Sequence, residues 1–534
     1  MLSRWAILAA SCAALISGAA PAFAQKAGGT LRISHRDNPP SASIHEESTI
    51  SVNQPFMAVF NNLVVFDPKE KVNSPDHIVP DLATSWSYND DKTQLTFKLR
   101  EGVKWHDGKP FTSADVKCTW DAVSGLHQDE KNPIIRKSPR KGWYANLKEV
   151  KTNGDYEVTF VLGRPQPSFL TMLAGGYSPV YSCHVPDRVM RSKPIGTGPF
   201  KVVDFKRNES IKLVKNPDYW KKGKPYLDEI DWTIVPNRST RLLGFQSGQF
   251  DMTFDSDVTF PLLKDVKAQK PDAVCEARPS NVNSNLLVNR DKPPFNNADI
   301  RKAMVLALDA KAFRDILSEG HDLDGAVMLP PPNGFWGMPK DQLPGLLGHS
   351  PDVEKNRAEA RAIMEKLGYT ADKPLKIKVA TRNIAIYRDP AVILIDQLKQ
   401  IHIEAELEPI DTTVWYTKLA RGDYQVGMNL TGVGIDDPDV NFYENYYSTS
   451  DRNYTHYKNP EVDKLIDQQS AEQDREKRKQ IVWKIEKILA DDAARPILGY
   501  KVDNTCWDPK VKGVVLQVNS IYNGWRFEDV WLDK

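Results

Sequence analysis

Apolar and polar side chains alternate strictly over residues 94–100. Leu95, Phe97 and Leu99 fall on one face, and Thr96, Lys98 and Arg100 on the other, the period of a half-buried strand. Similar patterns predict strands at 30–34, 250–254, 285–290, 375–380 and 403–407, a turn and strand over 421–428, and a strand over 102–108 that ends at the Asp107-Gly108 turn. Residues 195–220 read as a hairpin. Gly196, Gly198 and Pro199 make a turn, Phe200, Val202 and Phe205 begin a strand, Ile211 and Leu213 continue a second, and Asn216-Pro217 stops it.

Helical spacing takes over elsewhere. It predicts helices over 54–63 (Phe56, Val59, Phe60, Leu63), 241–248, 299–317 (Ile300, Met304, Ala307, Leu308) and 356–367, the last stopped by Gly368. Asp389-Pro390 predicts an N-cap with proline at the first helical position and a helix to about 400. Ile481, Ile485, Ile488 and Leu489 give the apolar face of a helix over 472–490, whose charges form a solvated face. Thr112 and Asp115 form a capping box ahead of Val116 and Trp120. The strand–helix–strand order over 375–407 predicts an α/β fold.

Residues 1–24 read as a cleavable secretory signal: Arg4, an apolar run over 5–16, and Ala22-Phe23-Ala24. Cys12 lies inside that run, which leaves acylation there as the alternative reading. Removing the signal takes away one of 71 cationic residues and leaves 70 of each sign. A neutral chain points away from nucleic acid and acidic membranes as main partners. Cys118, Cys183, Cys275 and Cys506 lie far apart, so no C-x-x-C metal or redox site exists. Export permits disulfides; free buried thiols are the other reading.

Candidate chemistry is mostly excluded. The Gly196/Gly198 pair lacks the third glycine of a dinucleotide fingerprint, since Lys201 stands there, and a strand rather than a helix follows. His45-Glu46-Glu47 fails the H-E-x-x-H metal pattern at Thr49, and His106-Asp107 reads as turn chemistry. There is no G-x-S-x-G and no Walker A loop. No cofactor, no metal and no enzymatic activity are expected.

Several segments together resemble one family. They are Leu82-Ala-Thr-Ser-Trp86; Leu95-Thr-Phe-Lys-Leu-Arg through Trp105-His-Asp-Gly-Lys-Pro-Phe111; Gly196-Thr-Gly-Pro-Phe200 with Asn216-Pro-Asp-Tyr-Trp220; Asn289 to Asp309; and Asn453 to Asp463. Their order is similar to that of the peptide- and nickel-binding family of periplasmic solute-binding proteins of ABC importers. The resemblance implies an α/β bilobal periplasmic-binding-protein fold with a hinge. Lobe I would combine 25–60, 193–284 and 499–534, with an extra subdomain 61–192 extending it, and lobe II would be 285–498. Pairs Cys118–Cys183 and Cys275–Cys506 would each stay within one lobe.

It also implies a monomeric periplasmic protein that captures a small-molecule or peptide ligand and delivers it to ABC permease and ATPase subunits of the inner membrane. A peptide is the expected solute; a nickel complex, an opine or a sugar is the alternative within the family. An exported hydrolase, or a binding protein serving a membrane receptor, is the alternative outside it. Arg382, at a predicted strand end, matches the arginine that holds a peptide carboxylate in the dipeptide-binding branch. Trp415 matches the family's cleft tryptophan, with helix packing the competing reading. The acid expected to pair with a peptide amine falls on Gly434. Asp436 is the substitute a local shift would supply, while Asp437 and Asp439 fit an Asx-Pro turn.

Overall fold

A computed structural model describes residues 25–534. The signal reading of residues 1–24 lies outside these described residues. Two principal sheets define two lobes. The first has the order Thr30–His35, Glu229–Ile234, Ser210–Lys215, Phe200–Lys206, with the first pair parallel and the rest antiparallel. The second has the order Ile403–Ile410, Leu375–Arg382, Val426–Gly432, Val274–Val288, Ile497–Trp507, in which the first three strands are parallel. A third, antiparallel sheet (Ala83–Tyr88, Gln94–Leu99, Glu157–Leu162, Leu147–Thr152) extends the first lobe.

The lobes share two long strands. Val274–Val288 pairs with Ile497–Trp507 along most of its length, but the register shifts between Pro279 and Asn283. Asn281, inside the shift, has φ 51°. On one side of this bulge Trp507 bridges to Met252 and Met252 to Ile33 of the first sheet; on the other, Val282–Val288 pairs with Val426–Gly432. A bulge bends and twists its strand, and a cleft lined from both lobes, with Val282 in its wall, lies beside it.

The first and third sheets bury a common core. Trp120 packs edge-on against Phe160, and Trp232 lies between His35, Phe254 and Phe527. Truncating either indole to Ala is worth about 3–5 kcal/mol. The second lobe has its own core around Leu286, Met304, Val379, Leu394, Val426 and Met428.

Two disulfides close, each between elements already adjacent: Cys118–Cys183, with Cα atoms 5.9 Å apart, and Cys275–Cys506, a register pair of the shared strands.

Local signals read well where nothing distant competes. The Thr112/Asp115 capping box starts the helix Ser113–Ser124, and Gly125 ends it at φ 77°. Five predicted elements differ. The helix expected over 54–63 is Ile50–Phe56, tightening to a 3-10 turn at Met57–Val59, after which Phe60 is extended. Gly196 and Gly198 explain the change. Gly198 N–H donates to the Val59 carbonyl at 2.9 Å, and a Cβ at Gly196 would lie 1.8 Å from that oxygen. The hairpin turn therefore seats directly on the backbone of this stretch and holds it out of helix.

The helix expected from Asp389 begins at Ala385, so Pro390 lies inside it. The Tyr387 carbonyl and hydroxyl accept from Thr381 Oγ1 and Arg382 Nη1 respectively, which fixes residues 385–389 as an extra first turn. The helix over 299–317 is two, Ala298–Ala307 and Ala310–Ser318, because Asp309 caps the second by accepting from Ala312 N–H at 2.9 Å. Residues 102–108 and 250–254 form only isolated bridges, at Lys104–Pro110 and at Met252.

Candidate functional site

The strand Leu375–Arg382 ends at the cleft, and its last residue reaches across it. Arg382 is fully buried. Its Nε donates to Thr412 Oγ1 at 3.0 Å, Nη1 to the Tyr387 hydroxyl at 2.8 Å, and Nη2 to Asp37 Oδ2. Asp37 follows the first strand of the other lobe, and the same oxygen accepts from Ser51 Oγ at 2.9 Å. A guanidinium carries five N–H donors, so two of Arg382's remain unengaged. Burial by itself would lower the Arg382 pKa, but the Tyr387 hydroxyl and the Asp37 carboxylate outweigh it and hold the pKa above the ordinary value.

A narrow cavity of ≈ 20 Å³ lies beside this ion pair. The first lobe contributes Arg36, Thr49 and Ser256; the second contributes Tyr387 and Tyr416; Tyr522 comes from the C-terminal segment. Tyr522 packs on Tyr177 with ring centroids 4.6 Å apart. Burial raises the pKa of Tyr177, Tyr416 and Tyr522, so these hydroxyls stay protonated at neutral pH. The chamber offers aromatic faces, neutral hydroxyls, the buried Arg36 guanidinium, and Lys501 and Asp503. That set suits a small polar solute with an anionic group, held by hydrogen bonds and stacking.

The three residues singled out in the sequence take different places. Arg382 stands at the cleft. Trp415 is fully buried one residue from Tyr416, among Leu287, Ala380, Leu419, Tyr424 and Tyr454, and its Nε1 has no partner. Asp436 lies beneath a Pro-rich loop over residues 330–344: Oδ2 accepts from Phe335 N–H at 2.8 Å, and its backbone carbonyl accepts from Trp336 Nε1 at 3.0 Å. Burial pushes the Asp436 carboxyl up to about 7. Phe335 and Trp336 thus anchor the loop.

Asp437 caps the helix Pro438–Asn445 and pairs with Arg478, and Asp439 accepts from Gln469, Ser470 and Gln166. Gly434 is covered by an indole, for a Cβ there would lie 3.0 Å from Trp143.

Arg36, Asp37, Tyr387, Tyr416 and Tyr522 were not singled out in the sequence. The one local signal was the charged Arg36-Asp37 pair just past a strand end and before Asn38-Pro39-Pro40. Among the described residues no group of three or more His, Cys, Asp or Glu is placed to hold a metal ion, and no helix is long and apolar enough to cross a membrane.

The family model for bacterial extracellular solute-binding proteins, family 5 Middle, matches residues 77–453. Heme-binding protein A of Haemophilus influenzae is 28% identical over 87% of this chain and 86% of its own. A probable di/tripeptide-binding protein of Pseudomonas aeruginosa is 26% identical over 88% and 89%. The solved structure of a periplasmic binding protein associated with an ABC transporter of Helicobacter pylori, in complex with the peptide STSA, superposes with a TM-score of 0.82. It is 23% identical and covers 95% of this chain and 99% of its own.

Proposed function

The chain belongs to family 5 of the bacterial extracellular solute-binding proteins, and we propose that it captures a short peptide between its two lobes and delivers it to an ABC importer. The observation that carries this reading is the small chamber walled by both lobes and clasped by the Arg382–Asp37 pair. Relatives named for di- or tripeptide and oligopeptide binding support the peptide class. On this reading the protein works as a periplasmic monomer, its partners are permease and ATPase subunits of the inner membrane, and it catalyses no reaction of its own.

We assign Arg382 to closure and to the ligand together: it clasps Asp37 and presents its two unengaged N–H groups to the solute. Trp415 backs the turn of helix that carries Tyr416, and Asp436 holds the 330–344 loop against the wall of the cleft. With Trp143 over Gly434, no acid stands at the position expected for an amine partner, so the peptide's amino end contributes little to affinity.

A ligand shifts an open–closed equilibrium only by its differential affinity for the two states. Small-angle scattering, run with and without a pool of random-sequence tripeptides retained on the protein by native mass spectrometry, tests the reading. A smaller radius of gyration with bound tripeptide is expected. Retention of no tripeptide, or retention at unchanged radius, overturns it.

A further inference from the structure

We infer that Arg36 is the seat of the ligand's carboxylate, a deepening that rests on the peptide-capture reading above. Most buried arginines of this protein already have their charge answered. Arg241 pairs with Asp257, Arg278 with Asp255, Arg478 with Asp437, Arg526 with Asp81, and Arg382 with Asp37. Arg140 spends its donors on the carbonyls of Ile44, His45 and Glu47, and Arg495 on Asn285, Asn445 and Thr431.

Arg36 is different. It is only 4% exposed, yet among the described residues it enters no ion pair within 4.0 Å. Its recorded hydrogen bond is Nη1 to Ser256 Oγ at 3.1 Å, and Nε has no partner. The guanidinium carbon lies 4.8 Å from the centroid of the Phe254 ring, which supports it on one face. Arg36 also lines the interlobe chamber.

Neighbouring charges do not supply the missing anion. Asp37, the next residue, is taken by Arg382. Asp503 lines the same chamber, but it forms no ion pair with Arg36 within 4.0 Å, and the cation that acts most strongly on it is Lys501, itself paired with Asp322 at 2.7 Å. Arg238 is a further cation whose charge is felt at Arg36; its own partner, Asp389 at 3.4 Å, stands across the cleft. Among the described residues Arg36 is therefore a guanidinium taken almost wholly out of water, in the wall of the chamber, with no carboxylate within 4.0 Å.

A buried charge of this kind is retained at a cost unless something pairs with it. A guanidinium edge with Nε unpartnered is the donor arrangement that grips a carboxylate through parallel hydrogen bonds. Arg382, already neutralised by Asp37, clasps the lobes and has only its two spare N–H groups for the ligand; Arg36 meets the carboxylate.

The test uses two pools of random-sequence tripeptides, one with free C-terminal carboxylates and one C-terminally amidated, presented to the full-length mature protein and read by native mass spectrometry and calorimetry. Wild type is expected to prefer the acid pool by about ten- to hundredfold, the range of one charge-assisted contact. R36Q is expected to erase that preference while leaving amide binding in place. R36K, which keeps the charge without the fork, is expected to restore part of it. R382A is expected to weaken both pools alike, because it removes the clasp and not the carboxylate's partner.

The assignment is overturned if R36Q, folded by circular dichroism, keeps the wild-type preference for acids, or if R382A rather than R36Q abolishes it. A wild type that takes up neither pool overturns the peptide reading itself, and the assignment with it.

Discussion

Arg382 and Asp37 stand 345 positions apart in sequence and share a buried ion pair, with the guanidinium of one lobe donating to the carboxylate of the other. Neither charge has an equal alternative in the closed protein. Ser51 also donates to Asp37, and Tyr387 and Thr412 accept from Arg382, but none of these is charged. In this arrangement of the lobes both ions are buried and paired with each other. On the capture reading proposed above, opening the cleft would return both to water.

Arg382→Ala leaves the Asp37 carboxylate facing the closed chamber without its cation. Removing one partner of a buried pair costs roughly 3–5 kcal/mol. At about 1.4 kcal/mol per tenfold, binding that requires closure should weaken by roughly two to three powers of ten. Calorimetry on Arg382→Ala, Asp37→Asn and the double variant checks this. The double variant should bind better than the sum of the two single losses allows, because it leaves no unpaired charge. Strictly additive losses would show that the pair is not formed when ligand is bound.

Stability should change little between about pH 4 and 6 and fall between about pH 6 and 8. Burial raises Asp436, Asp503 and Glu486 to about 7, about 6 and about 8. Native-state acids with raised pKa values bind protons that the unfolded chain does not, so their contribution is fully present below the ordinary carboxylate pKa of about 4 and is lost as pH rises from there through 6–8. Burial also lowers His35, His45 and His106 to about 4, about 3 and about 4, from an ordinary value of 6.5. The unfolded chain protonates these histidines first, so their contribution is lost as pH falls below 6.5. Each uncompensated proton is worth about 1.4 kcal/mol per pH unit. Over pH 4–6 the two sets offset each other, so chemical denaturation from pH 4 to 8 should trace a plateau and then a fall, and Asp436→Asn should shallow the fall. A midpoint that climbs steadily to pH 8 contradicts the assignment.

The disulfide Cys118–Cys183 closes a loop with a sequence separation of 65, and Cys275–Cys506 one of 231. Loop-closure entropy makes each worth about 4–5 kcal/mol in the chain-entropy model. A non-reduced peptide digest should show these two pairings alone, and reduction should lower the melting temperature by several degrees. Free thiols in the purified mature protein would contradict both.

Gly434 and Trp143 act as a pair. A Cβ at 434 would meet the Trp143 ring at 3.0 Å and Tyr177 at 3.4 Å. Gly434→Asp in the wild-type background should therefore weaken closure instead of gaining an amine contact. In a Trp143→Ala background, where the ring is gone, the same substitution should favour tripeptides with a free amino group over N-acetylated ones by about tenfold. Wild type should bind the two nearly equally. A strong wild-type preference for the free amine would mean that an acid elsewhere serves it.

Much of the architecture was legible because its causes are local. Strict alternation at Gln94–Leu99, the Thr112/Asp115 capping box and Arg382 at a strand end each depend on residues within a few positions. Misreadings fell where a distant group outbid the local signal. Val59 receives the Gly198 amide and Phe60 leaves the helix, and Tyr387 binds Arg382 so that the helix starts ahead of Asp389-Pro390. Trp415 and Tyr416 show the limit of periodicity in another way. Val414, Trp415 and Tyr416 are all large and apolar or aromatic, so the pattern does not say which faces the chamber. One residue is about 100° of helix, and the packing of Leu287 and Ala380 turns Trp415 inward and leaves Tyr416 on the wall.

By itself, then, the sequence determined the α/β class, the order of elements, the absence of any recognisable catalytic or phosphate-binding motif, and a cation at the end of Leu375–Arg382. Hydrophobic period, caps and turns act over a few residues, and so they are written along the chain. Only the tertiary structure decided which carboxylate Arg382 meets, that Arg36 has none, and that an indole fills the space at Gly434. Those outcomes depend on the bulge at 279–283 that sets one sheet against the other. Charge pairing and desolvation act through space, between residues that the chain itself keeps hundreds of positions apart.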